Sequence, residues 1–170
     1  ALLKTGVAPG GSVTGPMAEV VFRSTQYLSD ADAQAIAVYL RALPQRAIAP
    51  AEVVKPSAAT LERGAKVYEQ HCAQCHGDNG EGKPGAFPAL AGNRAVVLQD
   101  PTNLVRVVLQ GGYLPATAGN PRPHGMPPFM QVLGDDDVAA VSTFVRNAWG
   151  NQASAVGTIG VYRARERRGS

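Results

Sequence analysis

The chain has 170 residues, of which 45% are hydrophobic and 17% are charged, with 19 glycines and 13 prolines. This length suits one ordinary domain with an additional segment, and the hydrophobic content is enough for a packed core connected by long irregular stretches. The net charge is only +3, and no basic stripe is interleaved with aromatic residues, so nucleic acid is excluded as an expected partner.

The N-terminal part of the chain contains one clear helical pattern. Residues 1–16 are rich in glycine and proline and predict a loop. Apolar residues then recur with helical spacing over residues 31–43, where Ser29 or Asp30 is the expected N-cap and Pro44 the stop. The pattern therefore predicts a loop followed by one amphipathic helix.

A second helix is expected after a proline- and alanine-containing linker at residues 46–57. Thr60 is placed to cap a helix over residues 61–72, with Glu62 in its first turn. Gly64 costs such a helix about 1 kcal/mol relative to alanine. Either the glycine is simply tolerated, or a second helix crosses so closely that no side chain fits. We favour the crossing.

The most specific motif of the chain follows this helix. The only two cysteines, Cys72 and Cys75, stand three positions apart on one face of a helical turn, and His76 follows directly. This is the spacing of covalent c-type haem attachment, with two thioethers to the porphyrin and a histidine as the proximal iron ligand. The haem-free alternative is a thiol redox pair, but such a pair normally opens a helix after a strand, whereas this pair ends a helix.

Glycine-rich loops and one further helix come next. A loop at residues 77–93 can approach a ligand closely, and Arg94 behind it could reach a haem propionate or be merely solvated. The pair Asp100-Pro101 predicts an N-cap and first helical position, and Gly111 marks the helix end. A second glycine- and proline-containing loop then leads to Met126.

The last strong pattern predicts a helix from residues 135–137, three aspartates, to about Trp149. The aspartates suit a helix N-terminus better than a metal site. This pattern repeats the one near the N-terminus and indicates a partial internal repeat. Only the second copy follows a Cys-x-x-Cys-His, so residues 1–45 look like the back half of a preceding haem domain. The aligned pairs are Asp30 with Asp135, Ile36 with Val141, Tyr39 with Phe144, Leu40 with Val145 and Arg41 with Arg146.

Residues 151–170 are expected to form a C-terminal tail. Much of the basic charge lies here, and a solvated, frayed end is the simplest interpretation of such a segment. The arginines concerned are Arg163, Arg165, Arg167 and Arg168.

Taken together, these stretches resemble the bacterial cytochrome c family. More narrowly, they are similar to the C-terminal part of the multi-haem cytochrome subunit of membrane-bound alcohol, gluconate or related dehydrogenases. The resemblance implies an all-α fold in which cytochrome c-like helices pack around one covalent haem c, with a complete haem domain at residues 58–150 and an N-terminal half-domain segment. The matching stretches are GPMAEVV, STQYLSDADAQAIAVYL, HCAQCHGDNGEG, FPALAGN, HGMPPF and FVRNAWGN.

The resemblance also implies roles for individual residues. Cys72 and Cys75 would form the thioethers, and His76 would be the proximal ligand. Met126 would be the distal ligand, and the carbonyl of Pro88 would accept a hydrogen bond from the other ring nitrogen of His76. With both axial positions filled, the expected activity is one-electron transfer rather than catalysis.

Other candidates for these positions give weaker alternatives. Met130 competes with Met126, but it follows Pro127-Pro128-Phe129 and is expected to pack. His71 and His124 are expected to be surface residues. A ligand-binding or sensing haem protein with an open iron is the rival function, and peroxidase-like catalysis is a minor further one; Met126 argues against both.

The resemblance further implies a redox partner, either a dehydrogenase subunit or another cytochrome, or a quinone. Thioether attachment of haem takes place outside the cytoplasm, so a periplasmic location or the periplasmic face of the inner membrane is expected. The sequence shows no signal-peptide pattern, which we interpret as a processed chain or a fragment. No apolar run approaches the roughly 20 residues that span a bilayer.

Overall fold

The computed structural model describes residues 1–44 and 53–166. Regular structure in these ranges is mostly helical, which confirms the predicted class. Two small antiparallel hairpins accompany the helices, formed by β1 (Val7–Ala8) with β2 (Gly11–Ser12) and by β3 (Gly112–Tyr113) with β4 (Gly125–Met126). The helices are α1 (Leu2–Thr5), α2 (Pro16–Arg23), α3 (Asp30–Ala42), α4 (Ala58–His71), α5 (Ala73–His76), α6 (Thr102–Gln110), α7 (Asp135–Val145) and α8 (Thr158–Glu166).

Helices α4 and α7 cross at Gly64, as the glycine predicted. A β-carbon built on Gly64 would lie 2.2 Å from the carbonyl oxygen of Ala140 and 2.7 Å from the Cβ of Phe144. Any side chain at this position would therefore push the two helices apart. Next to the crossing, the Tyr68 ring lies 5.5 Å from that of Phe144 and 4.9 Å from that of Trp149, centroid to centroid.

Several helix ends differ from the sequence predictions by a few residues. Helix α4 is capped by Ser57, whose hydroxyl accepts a hydrogen bond from the Thr60 backbone at 3.1 Å, so Thr60 is not the cap. Helix α4 thus begins three residues earlier than expected, and Glu62 lies beyond its first turn, where it pairs with Lys66 at 2.9 Å. The helix also ends at His71, one residue before Cys72.

Helices α6 and α7 show smaller corrections. Pro101 occupies the N-cap position of α6 and not the first helical position, while the Asp100 side chain accepts a hydrogen bond from the Thr102 backbone at 2.9 Å. Helix α7 ends at Val145 and not near Trp149. Trp149 adopts a left-handed conformation with φ of 54°, because the chain turns there and brings the indole back onto Tyr68.

The N-terminal residues are more ordered than a loop. Residues 1–16 form α1 and the β1–β2 hairpin, so the prediction of a loop throughout is wrong there. Helix α3 is present over the expected range, with Ser29 as its N-cap. Only residues 53–57 of the predicted linker are described, because residues 45–52 lie outside the described ranges.

The C-terminal segment is docked and not frayed, which corrects the prediction for Arg165. Helix α8 buries Val161 and Ala164. The Arg165 guanidinium donates to Asp135 Oδ1 at 2.7 Å and to the carbonyl of Leu133 at 3.0 Å. Arg163 is exposed on the same helix. The segment is therefore part of the fold, while the remaining two arginines, Arg167 and Arg168, lie outside the described residues.

Candidate haem site

The Cys-x-x-Cys-His motif forms one compact turn at the junction of α4 and α5. Cys72 lies between α4 and α5, and its carbonyl accepts hydrogen bonds from the backbone of Cys75 at 3.1 Å and of His76 at 3.0 Å. Both thiols are free of disulfide bonds and half-buried. The two sulfur-bearing side chains and the imidazole are therefore presented by a single turn of backbone.

His76 is fixed by the hydrogen bond that the family resemblance implied. Its Nδ1 lies 3.0 Å from the carbonyl oxygen of Pro88. A carbonyl oxygen only accepts, so Nδ1 carries the hydrogen and Nε2 of the neutral ring keeps its lone pair for a metal. His76 is only 9% exposed, and burial lowers its pKa, which favours this neutral form.

The loop that supplies Pro88 is held at both ends by backbone hydrogen bonds. The Gly82 backbone donates to the His76 carbonyl at 2.7 Å, and the Leu90 backbone donates to the Gly80 carbonyl at 2.7 Å. Gly80 has a φ of +66°, and a β-carbon on it would lie 2.4 Å from the Trp149 ring. Because the loop is closed in this way, the Pro88 carbonyl has a fixed place relative to His76.

Three residues outside the predicted set hold this loop from the side. The Tyr68 hydroxyl donates to the Gly77 carbonyl at 2.6 Å. Asn93 donates to the Ala89 carbonyl at 2.9 Å. Asn151 donates to the Leu90 carbonyl at 3.0 Å and accepts from the Gly92 backbone at 3.0 Å. The spacing of Tyr68, Asn93 and Asn151 forms no motif, so these contacts could not be predicted from the sequence.

Met126 lies on a small hairpin next to the hydrophobic core. This core is a cluster of buried residues, most of them from α4, α6, α7 and α8. Met126 is paired with Gly112 in the β3–β4 ladder, and its half-buried side chain packs on the core cluster to which Cys72 also contributes. Gly111 begins this hairpin with a φ of +72°, and a β-carbon there would lie 2.4 Å from the Met126 carbonyl oxygen. Met130 packs on that cluster as well, and its backbone carbonyl accepts a hydrogen bond from Arg165.

The remaining candidates lie at the surface. His71 and His124 are both exposed, as expected, and their rings contact Phe129 and Phe87 at centroid distances of 6.0 and 4.8 Å. Arg94 is exposed, and its backbone N–H donates to the Gly10 carbonyl at 3.0 Å. A propionate contact for Arg94 therefore stays a prediction.

The chemistry of these donors fits covalent haem and does not fit a thiol redox pair. Burial and the neighbouring Cys75 raise the pKa of the Cys72 thiol to about 11, whereas redox-active pairs need a stabilised thiolate. Helix α4, and not a strand, leads into the motif. Two free thiols on one turn beside a neutral imidazole are the groups that attach haem c and bind its iron on one side.

The comparison with known proteins agrees with this geometry. The family model for cytochrome c matches residues 61–149, more than half of the chain. The chain therefore belongs to the cytochrome c family. This membership confirms the predicted resemblance, and it implies a covalently bound haem c and a role in electron transfer.

Individual relatives indicate which members of the cytochrome c family the chain is similar to. The chain is 40% identical over 161 residues to the cytochrome c subunit of alcohol dehydrogenase (quinone) from Gluconobacter oxydans, covering 89% of this chain and 33% of the relative. It is 36% identical over 153 residues to the gluconate 2-dehydrogenase cytochrome c subunit from Pantoea cypripedii, covering 85% of this chain and 35% of the relative. It is 37% identical over 97 residues to cytochrome c-552 of Thermus thermophilus, covering 55% of this chain and 73% of the relative.

The chain thus spans about a third of the length of the two dehydrogenase subunits that it matches. Both are named as cytochrome subunits, which supports an electron-transfer protein and not a substrate-oxidising enzyme. Among residues 1–44 and 53–166, no helix is long and apolar enough to cross a membrane.

Proposed function

We propose that residues 58–150 form a one-electron transfer domain with a single haem c, attached through Cys72 and Cys75. His76 would bind the iron on one side of the haem and Met126 on the other. The observation that carries this proposal is the hydrogen bond between His76 Nδ1 and the Pro88 carbonyl, at 3.0 Å, beside the two free thiols. It turns Nε2 towards a metal and fixes the imidazole that would hold the iron.

When bound, haem c supplies an iron that accepts and releases one electron without making or breaking a covalent bond. The residues of the chain set how easily this happens. The Pro88 carbonyl makes His76 a more basic ligand, while the Met126 thioether favours the reduced state. With both axial positions held by side chains, no place is left for a substrate, and the closed loop around Pro88 limits movement when the charge changes.

The wider role follows from the relatives and is part of the same proposal. We place the domain in a dehydrogenase cytochrome subunit that relays electrons, on the periplasmic side of the membrane, towards quinone or another acceptor. Residues 1–45 would be the back half of a preceding cytochrome c domain, residues 46–57 a linker and residues 151–170 a C-terminal segment. The match to the Gluconobacter subunit covers 89% of the chain, so it includes most of the N-terminal segment, whereas the match to cytochrome c-552 covers 55%.

The test compares the two candidate methionines in haem-loaded protein. Met126→Ala should keep the haem, as measured by intact mass, but lower the midpoint potential and allow carbon monoxide to bind the ferrous protein. The matched variant Met130→Leu should leave the potential and carbon monoxide binding unchanged, because leucine preserves the packing of this side chain on the core.

Three results would contradict parts of this proposal. Wild-type protein whose mass equals that of the bare polypeptide would exclude covalent haem. If Met130→Leu allows carbon monoxide to bind the ferrous protein while Met126→Ala does not, the distal ligand is Met130. Carbon monoxide binding by the untreated wild type would favour the ligand-binding function over electron transfer.

A further inference from the structure

Residues 5–14, which contain the β1–β2 hairpin, lie across two loops of the haem domain. We call residues 5–14 the strap, residues 83–94 the histidine-side loop and residues 112–126 the methionine-side loop. The first loop carries Pro88, which holds His76, and the second ends at Met126. The strap comes from the other end of the sequence and from outside the proposed haem domain.

The strap contacts the histidine-side loop through backbone atoms. The Arg94 N–H donates to the Gly10 carbonyl at 3.0 Å. Gly10 has a φ of +71°, and a β-carbon there would lie 3.2 Å from the Gly92 carbonyl oxygen. The tip of the hairpin is therefore in close contact with the backbone that follows Pro88.

The strap contacts the methionine-side loop through side chains. A β-carbon on Gly119 would lie 2.7 Å from the Cγ2 of Thr5, and one on Gly6 would lie 2.3 Å from the Cγ of the buried Pro115. Close approach at two separate points means that the position of the strap and that of this loop depend on each other.

Between the strap and both loops lies a cleft of about 310 Å³. It is lined on the strap side by Thr5 and residues 7–11, on the histidine side by residues 83–89 and on the methionine side by Leu114, Gly119 and Asn120. The proposed haem ligands Cys72, His76 and Met126 do not line it. The strap can therefore act on them only through the loops.

Helix α1, which leads into the strap, is held to the segments that follow the strap in the chain. The Thr25 hydroxyl donates to the Leu3 carbonyl at 2.5 Å, and Lys4 pairs with Asp30 at 2.8 Å. Thr5 keeps its orientation because its hydroxyl accepts from the Val7 backbone at 3.2 Å and donates to the Val7 carbonyl at 2.9 Å. Its methyl group is thereby directed at Gly119.

We propose that the strap is a positioning element that holds the two loops together and so would keep Met126 in place as a ligand of the iron. Thr5 and Gly119 are its positioning residues. The inference rests on the proposed function for the identity of the two ligands. It adds that the N-terminal segment, outside the haem domain, controls how firmly the distal ligand is held.

The test uses Gly119→Ala in the haem-loaded full chain. Gly119 is not in the left-handed region, so alanine fits its backbone, and the only close contact is with Thr5. We expect weaker ferric methionine absorbance in the far red and a lower midpoint potential. We also expect a roughly tenfold larger fraction of ferrous protein that binds carbon monoxide, a moderate effect for overpacking.

A second change should reverse the first. Thr5→Ser removes the methyl Cγ2 but keeps the hydroxyl, so Thr5→Ser combined with Gly119→Ala should restore all three measurements. Thr5→Ser alone should be neutral. Gly11→Ala is the matched control within the strap, because Gly11 has nothing within 4 Å of its β-carbon position and no positive φ.

The outcomes separate this inference from the function on which it rests. If Met126→Ala opens the iron but Gly119→Ala leaves methionine absorbance, potential and carbon monoxide binding unchanged, the strap has no positioning role. If Met126→Ala has no effect, the ligand assignment itself is wrong. Should Gly119→Ala fail to fold, Thr5→Ala provides the test from the strap side, because it removes both the hydroxyl that bonds Val7 and the methyl group that faces Gly119. A folded Thr5→Ala with wild-type iron ligation would overturn the inference.

Discussion

Helices α3 and α7 share a sequence pattern but differ in what they bury. Both begin at the aligned aspartates, Asp30 and Asp135. Helix α7 buries seven of its eleven residues, whereas α3 buries none of its thirteen. The positions of α3 aligned with the α7 contact face are exposed, with Ile36 at 38%, Tyr39 at 64% and Leu40 at 55%.

The difference shows that helical periodicity predicts an apolar face but not the surface that covers it. Helix α7 has α4, which provides a glycine at the crossing and the aromatic ring of Tyr68. Helix α3 has a similar apolar face, but among the described residues no helix packs on it as α4 packs on α7. This agrees with the proposal that residues 1–45 are the back half of another domain. Substitutions at aligned positions should therefore have very unequal effects on stability.

The largest difference is expected at the aligned arginines. Arg146 is 1% exposed and donates to the carbonyls of Val96 at 2.7 Å, Leu98 at 2.8 Å and Ser154 at 3.1 Å. Burial lowers its pKa, although a guanidinium stays protonated in proteins. Arg146→Met leaves three carbonyls without this donor and should lower the free energy of unfolding by about 3 kcal/mol, measured by urea titration of the haem-loaded protein.

Arg41→Met is the matched control, since Arg41 is exposed on α3. It should change the free energy of unfolding by no more than about 0.5 kcal/mol. Equal losses in the two variants would mean that α3 is packed as α7 is, and the comparison between the helices would fail.

A smaller effect is expected where the two helices of the haem domain cross. Gly64→Ala places a β-carbon 2.2 Å from the Ala140 carbonyl oxygen, so α4 and α7 must separate. The free energy of unfolding should fall by about 2 kcal/mol, and thermal unfolding followed by circular dichroism measures it.

Gly160→Ala in α8 controls for the general effect of alanine in a helix. Nothing lies within 4 Å of its β-carbon position, so this change should be neutral or stabilising by up to about 1 kcal/mol. A Gly64→Ala variant as stable as Gly160→Ala would show that the crossing does not need the glycine.

The features that could be predicted from the sequence are those that depend on neighbours along the chain. Helix α3 and the Cys-x-x-Cys-His turn follow from local spacing, and the crossing at Gly64 follows from a glycine where alanine would be the better helix former. The contact of Pro88 with His76 spans twelve residues and came from the family resemblance, not from spacing.

The features that could not be predicted depend on distant partners. The strap is ordered by loops about a hundred residues away, so its glycines resemble those of any loop. Arg146 has the pattern of a solvated helix end, and only the carbonyls of residues 96, 98 and 154 make it a buried cation. In the sequence, Arg165 looks like part of a charged tail, because its partner Asp135 lies 30 residues earlier in the chain. Ser57 and Thr60 both have side chains that can cap a helix, and in the structure Ser57 caps α4.

The smallest of the three effects compares Val145 of α7 with the aligned Leu40 of α3. It is the most direct test of the comparison, because the larger of the two side chains is the less buried one. Val145 is 5% exposed, and Val145→Ala removes two buried carbon atoms, which should cost about 1.5 kcal/mol. Leu40 is the larger side chain but is 55% exposed, so Leu40→Ala should cost no more than about 0.5 kcal/mol. Urea titrations of both variants measure the difference. If the leucine were the costlier loss, α3 would already have a covering surface in this chain. If the valine is the costlier loss, the cost follows burial, and the apolar face of α3 is uncovered, as the half-domain proposal requires.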